Sequence, residues 1–283
     1  MILKMDADYD RLEWYGKGPE EGYIDRENGL KLGLWRGVVD NDLGGQVNLR
    51  CAQWKGGSEF VTHRQFGKGF WHPDYFPTLE RDGEAALVRF VYHMPTNPAS
   101  SCAVTYRVEG DGTVTCTMNY DPVPGLPPMP EFGMLLKMDA DYDQLTWYGK
   151  GPEEGYIDRE NGLKLGIWSG NVRDQLARCL RPQESGAHTG VRWARVTDYK
   201  GVGLEFRGDG MMFSALPWTP HELDCAQHPY ELPPIHHTVV RCALKQMGVG
   251  GDDTWGSIPH PEYWLPENEP LRFTFSFRGC CRE

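Results

Sequence analysis

The chain has 283 residues, which is enough for one large all-β domain or for two domains of ordinary size. Its formal net charge of −11 argues against a nucleic acid or an anionic membrane surface as a partner, because both would repel it. The amino terminus lacks the apolar run of a secretory signal, and no apolar stretch is long enough to cross a bilayer. We therefore expect a cytoplasmic protein.

An internal repeat begins at the first residue. Residues 1–37 align with residues 134–170 at an offset of 133, and only five aligned pairs differ. A solenoid recurs at least three times and its repeats drift in sequence, whereas this sequence has one near-identical second copy. We interpret residues 1–34 as a duplicated copy of 134–167 that is not itself a domain, and residues 35–283 as a single domain.

The middle of the chain has the periodicity of strands. Cys102–Val108 and Val114–Tyr120 alternate apolar with polar residues on either side of Gly110-Asp111-Gly112, which predicts a β-hairpin. Residues 122–130 contain five prolines, which cannot pair inside a sheet, so we predict a loop or an edge crossing there.

Strands also dominate the carboxy-terminal third. Val202–Phe206 leads into Gly208-Asp209-Gly210, and Met211–Leu216 is predicted to return as a second hairpin. Leu271–Phe277 alternates strictly and predicts a strand with one apolar face. A capping-box sequence at Thr219–Glu222, with proline at the first helical position, predicts one short helix.

Three carboxylates offer candidate chemistry. Asp252 and Asp253 follow two glycines, and the favoured interpretation is a tight turn in which aspartate caps the backbone. Adjacent strand residues would in any case point to opposite faces. Glu184 could orient a sugar hydroxyl, but a buried hydrogen bond to a neighbouring loop is the favoured interpretation.

The histidines and cysteines show no metal-ligand spacing. The eight cysteines contain no C-x-x-C pair, so reduced thiols are expected. The pair His236-His237, and likewise His221 and His228, lack an accompanying acidic or thiol ligand set in the sequence. Solvated or core histidines are therefore favoured, and we predict no metal site.

Several long motifs stand in a fixed order along the chain. They are Trp35-Arg36 with Asp40-Asn41-Asp42, Arg50–Lys55, Trp147–Glu154 with Tyr156 and Asp158-Arg159, Arg181–Gly186 with Val191–Trp193, Phe213–Leu216, and Lys245–Trp255. In identity and order these motifs resemble the small chain, or the last domain, of lac-type β-galactosidases of glycoside hydrolase family 2. The resemblance runs from about Trp35 to Phe277.

The resemblance implies a large antiparallel β-sandwich of the galactose-mutarotase-like type, a supersandwich with very little helix. The sequence departs from the family at Val38-Val39, where proline and threonine are usual, and the duplicated segment stands where the family has further strands. Since two near-identical segments cannot fill one position, we predict that Leu136–Trp168 occupies the family position. Leu3–Trp35 is then predicted to be poorly packed or to pair at an exposed sheet edge.

The resemblance also implies an accessory role in hydrolysing terminal β-D-galactosides such as lactose. A retaining glycosidase needs two carboxyl groups about 5 Å apart, and the family carries both on a barrel domain that no part of this sequence resembles. We predict no catalytic residue here and an isolated chain without activity. The expected partners are a galactoside, the catalytic barrel portion and an oligomeric assembly. Mg²⁺ and Na⁺ are expected on that portion, with no cofactor in this chain. A free-standing carbohydrate-binding or mutarotase-like module is the alternative, and an inert remnant broken by the duplication is the third interpretation.

Trp255 is the candidate substrate-binding residue. It lies in a glycine-flanked loop, Gly250–Gly256, where an indole can be presented to the apolar face of a sugar. On the residues alone, a tryptophan that closes the core under its loop is the stronger alternative. The resemblance implies the opposite, because in the family the tryptophan of this motif reaches into the active site as part of the sugar platform.

Overall fold

Strands dominate the computed structural model, which describes residues 2–5, 12–15, 30–59, 77–253 and 255–281. A two-stranded sheet, β1 (Ile2–Met5) and β2 (Leu12–Tyr15), precedes a sheet of twelve strands in the described part. The twelve are β3 (Lys31–Gly33), β4 (Thr78–Asp82), β5 (Ala85–Met94), β6 (Ser100–Val108), β7 (Val114–Tyr120), β8 (Glu131–Asp139), β9 (Gln144–Gly151), β10 (Lys164–Asn171), β11 (His188–Thr197), β12 (Gly203–Leu216), β13 (His237–Gln246) and β14 (Leu271–Cys280).

The large sheet is antiparallel and branched. Its main path runs β10-β9-β11-β12-β14-β7-β6-β5-β4, while β13 also pairs with β12 and is followed outward by β8 and β3. Both arms contribute to one hydrophobic cluster, to which Phe90, Phe132, Phe213 and Phe275 belong. A sheet whose arms bury a shared core is a sandwich, so the predicted all-β antiparallel fold is confirmed.

The period-two pattern of the sequence determines which side chains enter this core. Leu271, Phe273, Phe275 and Phe277 of β14 are buried, and the residues between them face outward. The predicted hairpin of β6 and β7 is confirmed, with a register from Cys102 opposite Tyr120 to Val108 opposite Val114. Residues 122–130 form no strand, as their prolines predict.

The predicted second hairpin is wrong, because β12 is one continuous strand. Its first half, up to Gly208, pairs with β14, and its second half, from Met212, pairs with β13. The pairing with β11 shifts in register between these halves. Residues 208–210 therefore form a bulge rather than a turn, and Gly210 takes the positive φ of +68° that this bulge requires.

Four short α-helices accompany the sheet in the described part of the chain. The predicted helix is α4 (Pro220–Cys225), where the Glu222 amide donates to the Thr219 hydroxyl and the Thr219 amide donates back to the Glu222 carboxylate. The sequence did not predict the other three, which are α1 (Asp40–Gly44), α2 (Val47–Arg50) and α3 (Ala52–Glu59). None of the helices in the described part is both long and apolar enough to span a membrane.

The two copies of the repeat make different pairings. Lys31–Gly33 of the first copy pairs with β8, whereas the identical tripeptide Lys164–Gly166 of the second copy pairs with β9. The second copy also supplies most of β8, the whole of β9 and all of β10 except its last residue, Asn171. In the described residues, the two copies therefore occupy different places in the sheet.

The end of the first copy pairs at a sheet edge, which is one of the two predicted outcomes, but it is not poorly packed. Strand β3 lies at the edge of the described sheet, but Leu30, Leu32 and Leu34 are buried in the main core. They belong to the same hydrophobic cluster as Phe132 and Met134 of β8. The sandwich therefore includes residues 30–34, which lie before the predicted boundary. Most of residues 1–29, the rest of this copy, lies outside the described residues.

Leu32 and Leu165 are the same residue at equivalent repeat positions, and they make a matched test of this packing. The Leu32 side chain is 2% exposed and that of Leu165 is 50% exposed. We expect Leu32→Ala to lower the free energy of unfolding by about 2–5 kcal/mol, because it leaves a cavity in the core. Leu165→Ala should change it by no more than about 0.5 kcal/mol. Urea denaturation measures both, and equal losses would show that β3 is not part of the core.

Candidate functional site

The loop that carries Trp255 is anchored at both ends. At its start, the Asp158 carboxylate accepts a 2.7 Å hydrogen bond from the Gly250 amide. A side chain at Gly251 would collide with the Ser257 carbonyl oxygen, 2.7 Å from an added Cβ, and with the Asn41 amide. The glycines are thus required for close backbone packing against neighbouring elements, and the loop is held rather than free.

The two aspartates of the loop stabilise its turn. The Asp253 carboxylate accepts a 2.8 Å hydrogen bond from the Trp255 amide and a 3.4 Å bond from the Ser257 amide. Asp252 lies 2.9 Å from Nε2 of His260. The turn interpretation of this pair is therefore confirmed for Asp253, whose side chain caps the backbone.

The Trp255 side chain points into solvent. It is 92% exposed, the highest value among the tryptophans of the described chain. A side chain as large and apolar as an indole is seldom left in water. The Trp255 backbone amide is held by the Asp253 carboxylate. The alternative in which Trp255 closes the core is wrong for this structure, whereas its contact with a sugar stays a prediction.

A polar cavity of about 480 Å³ lies beside the same loop. Residues 249–253 form one wall, and further carboxylates come from α1 and from the segments after β9 and β10. Its lining side chains include those of Asp40, Glu154, Tyr156, Arg159, Gln183 and Glu184. Most of these carboxylates already bind protein groups: Glu154 pairs with Arg159, and Asp40 accepts from Gln183. The cavity wall is consequently a fixed polar surface.

Two arginines and three carboxyl groups form a buried ionic network at the base of the cavity. One of the three, Glu184, also lines the cavity. Arg36 binds Asp42 through both terminal nitrogens, at 2.5 and 3.0 Å, and donates to the Gly248 carbonyl. Arg241 donates to Glu184 and lies 3.1 Å from Glu131. The first pair therefore supports the start of the Trp255 loop directly, through the carbonyl of Gly248.

Glu184 connects the two halves of this network. Its carboxylate accepts a 2.8 Å hydrogen bond from the Gly37 amide in addition to the bonds from Arg241. The predicted buried hydrogen bond to a neighbouring segment is confirmed. Because Glu184 neutralises a buried cation, it is a structural residue with little capacity left to bind a sugar.

Glu131 is the third carboxyl group, and it shares Arg241 with Glu184. Burial raises its pKa to about 7, with Arg241 opposing the shift and Glu184 adding to it. The Gln246 amide donates to Glu131 Oε2 at 2.6 Å. With Glu131 protonated, the two guanidinium groups face two carboxylates, and the buried network carries no net charge. Solvation therefore favours the protonated form of Glu131.

Two histidine positions in the structure were not predicted from the sequence. The structure brings Glu222 beside His236 and His237. This pair therefore has an acidic neighbour in space, although the sequence spacing did not indicate it. His188 stacks on Trp147 with ring centroids 3.8 Å apart, and burial lowers its pKa to about 4. It is a neutral core histidine.

The curled antiparallel sheet and the anchored, exposed indole together define a β-sandwich protein that presents an aromatic side chain at its surface. The chain belongs to the β-galactosidase small-chain family, whose sequence profile matches residues 1–41 and 28–277. The second match starts before the predicted boundary, in agreement with the core packing of residues 30–34.

Two individual relatives show how much of a family member this chain corresponds to. The β-galactosidase of Priestia megaterium is 38% identical over 252 residues, which are 89% of this chain and 23% of that protein. The β-galactosidase small subunit of Latilactobacillus sakei is 28% identical and is covered to 88% of its length, with 91% of this chain aligned. The chain thus spans about a quarter of the length of the first protein and most of the second.

Among solved structures, the galactose 1-epimerase of Lactobacillus acidophilus superimposes with a TM-score of 0.46 at 11% sequence identity. The superposition covers 96% of this chain and 86% of that chain.

The buried network predicts a pH dependence that one variant should remove. Between about pH 4.5 and 7 the unfolded state releases the Glu131 proton and the native state keeps it, so this group lowers stability as pH rises. Glu131→Gln cannot titrate. Relative to the native chain, it should be of similar stability at pH 5 and more stable by about 1–3 kcal/mol at pH 8.

Urea denaturation at the two pH values measures this difference. Glu184→Gln is the matched control, because it leaves Arg241 without its bound carboxylate and should cost about 3–5 kcal/mol at both pH values. Parallel stability curves for Glu131→Gln and the native chain would contradict the raised pKa.

Proposed function

We propose that this chain is the accessory small chain of a β-galactosidase, which completes a galactoside site whose catalytic carboxylates lie on a separate barrel portion. The observation that carries the proposal is the exposed Trp255 on a loop fixed by Asp158 and Asp253. Membership in the small-chain family favours this role over a free-standing carbohydrate-binding or mutarotase-like module. Coverage of most of the Latilactobacillus sakei small subunit favours a separate subunit.

In this proposal the chain contributes binding surface and geometry. The apolar face of a galactosyl ring packs on the Trp255 indole, and the polar wall beside the loop meets the sugar hydroxyls or the docked partner. Anchoring through Gly250 and Ser257 fixes the indole before docking, so little conformational entropy is lost when the site assembles. The Mg²⁺ and Na⁺ expected from the family would lie on the catalytic portion.

The carboxylates of this chain fit a structural role better than a hydrolytic one. A glycosidase acid must exchange a proton with the leaving oxygen, and its nucleophile must approach the anomeric carbon. Glu184 is buried against Arg241, and Asp253 is engaged by two backbone amides. Both are acceptors in bonds that hold the fold, so the proposal assigns the acid and the nucleophile to the partner.

The purified chain should not hydrolyse a chromogenic galactoside, because the proposal assigns the required pair of carboxyl groups to the partner. Mixing it with a barrel-containing fragment of a family member should restore turnover, measured by release of the chromophore. Turnover that survives purification of the chain alone, and that is lost in Glu184→Gln or Asp253→Asn, would overturn the accessory role.

Trp255→Ala should separate stability from function. The side chain buries almost no surface in the isolated chain, so its loss should change the free energy of unfolding by no more than about 0.5 kcal/mol. In the complemented assembly, loss of the indole should raise the barrier for kcat/KM by about 1–3 kcal/mol, an effect of about 5- to 150-fold.

Tyr199→Ala is the control, since this aromatic side chain is also exposed but lies in the turn between β11 and β12. It should change neither the stability nor the kinetics of the assembly. A large loss of stability in Trp255→Ala with unchanged kinetics would show that Trp255 is a core residue and not a sugar platform.

A further inference from the structure

Three side chains of types that can bind metals lie together at the amino-terminal end of β13, apart from the Trp255 loop. They are Glu222 in α4 and the adjacent His236 and His237, whose ligand atoms all lie within 4.8 Å of one another. Consecutive residues inside a strand would point to opposite faces. His236 precedes the strand, which begins at His237, so both imidazoles can face the same carboxylate.

His236 has the hydrogen bond that is typical of a metal ligand. Its Nδ1 lies 2.9 Å from the Pro234 carbonyl oxygen. A carbonyl oxygen can only accept, so Nδ1 must carry the proton and Nε2 must carry the free lone pair. Metal-ligating histidines usually donate their second ring N–H to a carbonyl or carboxylate in this way, which fixes the tautomer and the ring orientation.

His237 supplies an independent observation, because its ring nitrogen is buried without a hydrogen bond. The residue is 5% exposed, and Nε2 faces Glu222 Oε2 at 3.5 Å without hydrogen-bond geometry. A buried nitrogen whose one charged neighbour is this distant and poorly aligned is costly, and a metal ion between the two atoms would satisfy both. The carboxylate of Glu222 is already fixed by two bonds from Thr219, at 2.7 and 2.9 Å.

The chemistry of the donor set selects the class of ion. Two imidazoles and one carboxylate suit Zn²⁺ and similar divalent transition metals, whereas Mg²⁺ and Na⁺ prefer all-oxygen surroundings. Zinc bonds to nitrogen and oxygen of about 2.0–2.2 Å require ligand atoms about 3.3–3.6 Å apart, so a small movement of the exposed His236 closes the site. Glu222 also lines a cavity of about 300 Å³, from which a water molecule can supply a fourth ligand.

From these contacts we infer that Glu222, His236 and His237 form a site for one zinc-like divalent transition-metal ion, which joins α4 to the start of β13. The site is independent of the proposed galactoside function, because none of its residues lies in the Trp255 loop or lines the cavity beside that loop. Its role would be to clamp the connection between α4 and β13.

Zinc titration of the full, EDTA-treated chain by isothermal calorimetry tests this inference. One Zn²⁺ should bind per chain with micromolar or tighter affinity and raise the urea midpoint, while Mg²⁺ should give neither effect. His236→Gln removes an exposed ligand, so it should fold. It should weaken Zn²⁺ binding by at least about tenfold, since even the loss of a group that hydrogen-bonds to a ligand has an effect of this size. Glu222→Asn should weaken it similarly.

Two controls distinguish this site from other zinc ligands. His228→Gln alters an exposed histidine that lies 3.1 Å from one glutamate, Glu231, and it should bind Zn²⁺ as the native chain does. Cys225→Ser/Cys281→Ser removes the two exposed thiols and should also retain binding. The inference is overturned if the native chain does not bind Zn²⁺, if His236→Gln binds as tightly as the native chain, or if the thiol variant abolishes binding.

Discussion

The buried ionic network is the constraint on which the rest of this structure depends. Arg36 and Arg241 lie in the interior with Asp42, Glu131 and Glu184, and a buried charge is tolerated only when its partners are in place. The partners come from segments far apart in the chain. The network therefore requires the start of the sandwich, the central strands and the loop after β10 to assemble together, and removal of one member exposes the others to an apolar interior.

The same network also holds the backbone that leads to the surface loop of Trp255. Arg36 holds the Gly248 carbonyl, and Gly248 begins the tract that leads to Trp255. On the other side of that tract, α1 approaches Gly256 and Ile258 through its terminal glycines. An indole that is almost fully exposed thus rests on a loop whose backbone is held by hydrogen bonds from Gly250, Trp255 and Ser257. An exposed indole on a hydrogen-bonded loop is suited to a binding surface that is preorganised before the partner docks.

Sequence patterns predicted the strands well, but they predicted little of the buried ionic network. Alternation identified β6, β7 and β14 because each has one face in the core, and the capping box identified α4. In β12 the glycines of residues 208–210 indicated a turn, since a bulge and a turn use the same residues. Trp255 followed from the family motif, whereas its exposure depends on packing around Gly251. The one local sign of the network was Arg241 within the apolar run of β13, and its partners could not be found from spacing.

The different pairings of the repeat have a consequence for folding order. Identical residues at Lys31–Gly33 and Lys164–Gly166 cannot distinguish β8 from β9 by local chemistry, so chain connectivity must decide. Pairing of Lys164–Gly166 with β9 closes a loop of about a dozen residues, and pairing of Lys31–Gly33 with β8 closes one of about a hundred. The longer loop costs about 2 kcal/mol more in closure entropy. We expect the β9–β10 hairpin to form first, which leaves the β8 edge for the first copy and makes the order of synthesis and folding part of what specifies the native topology.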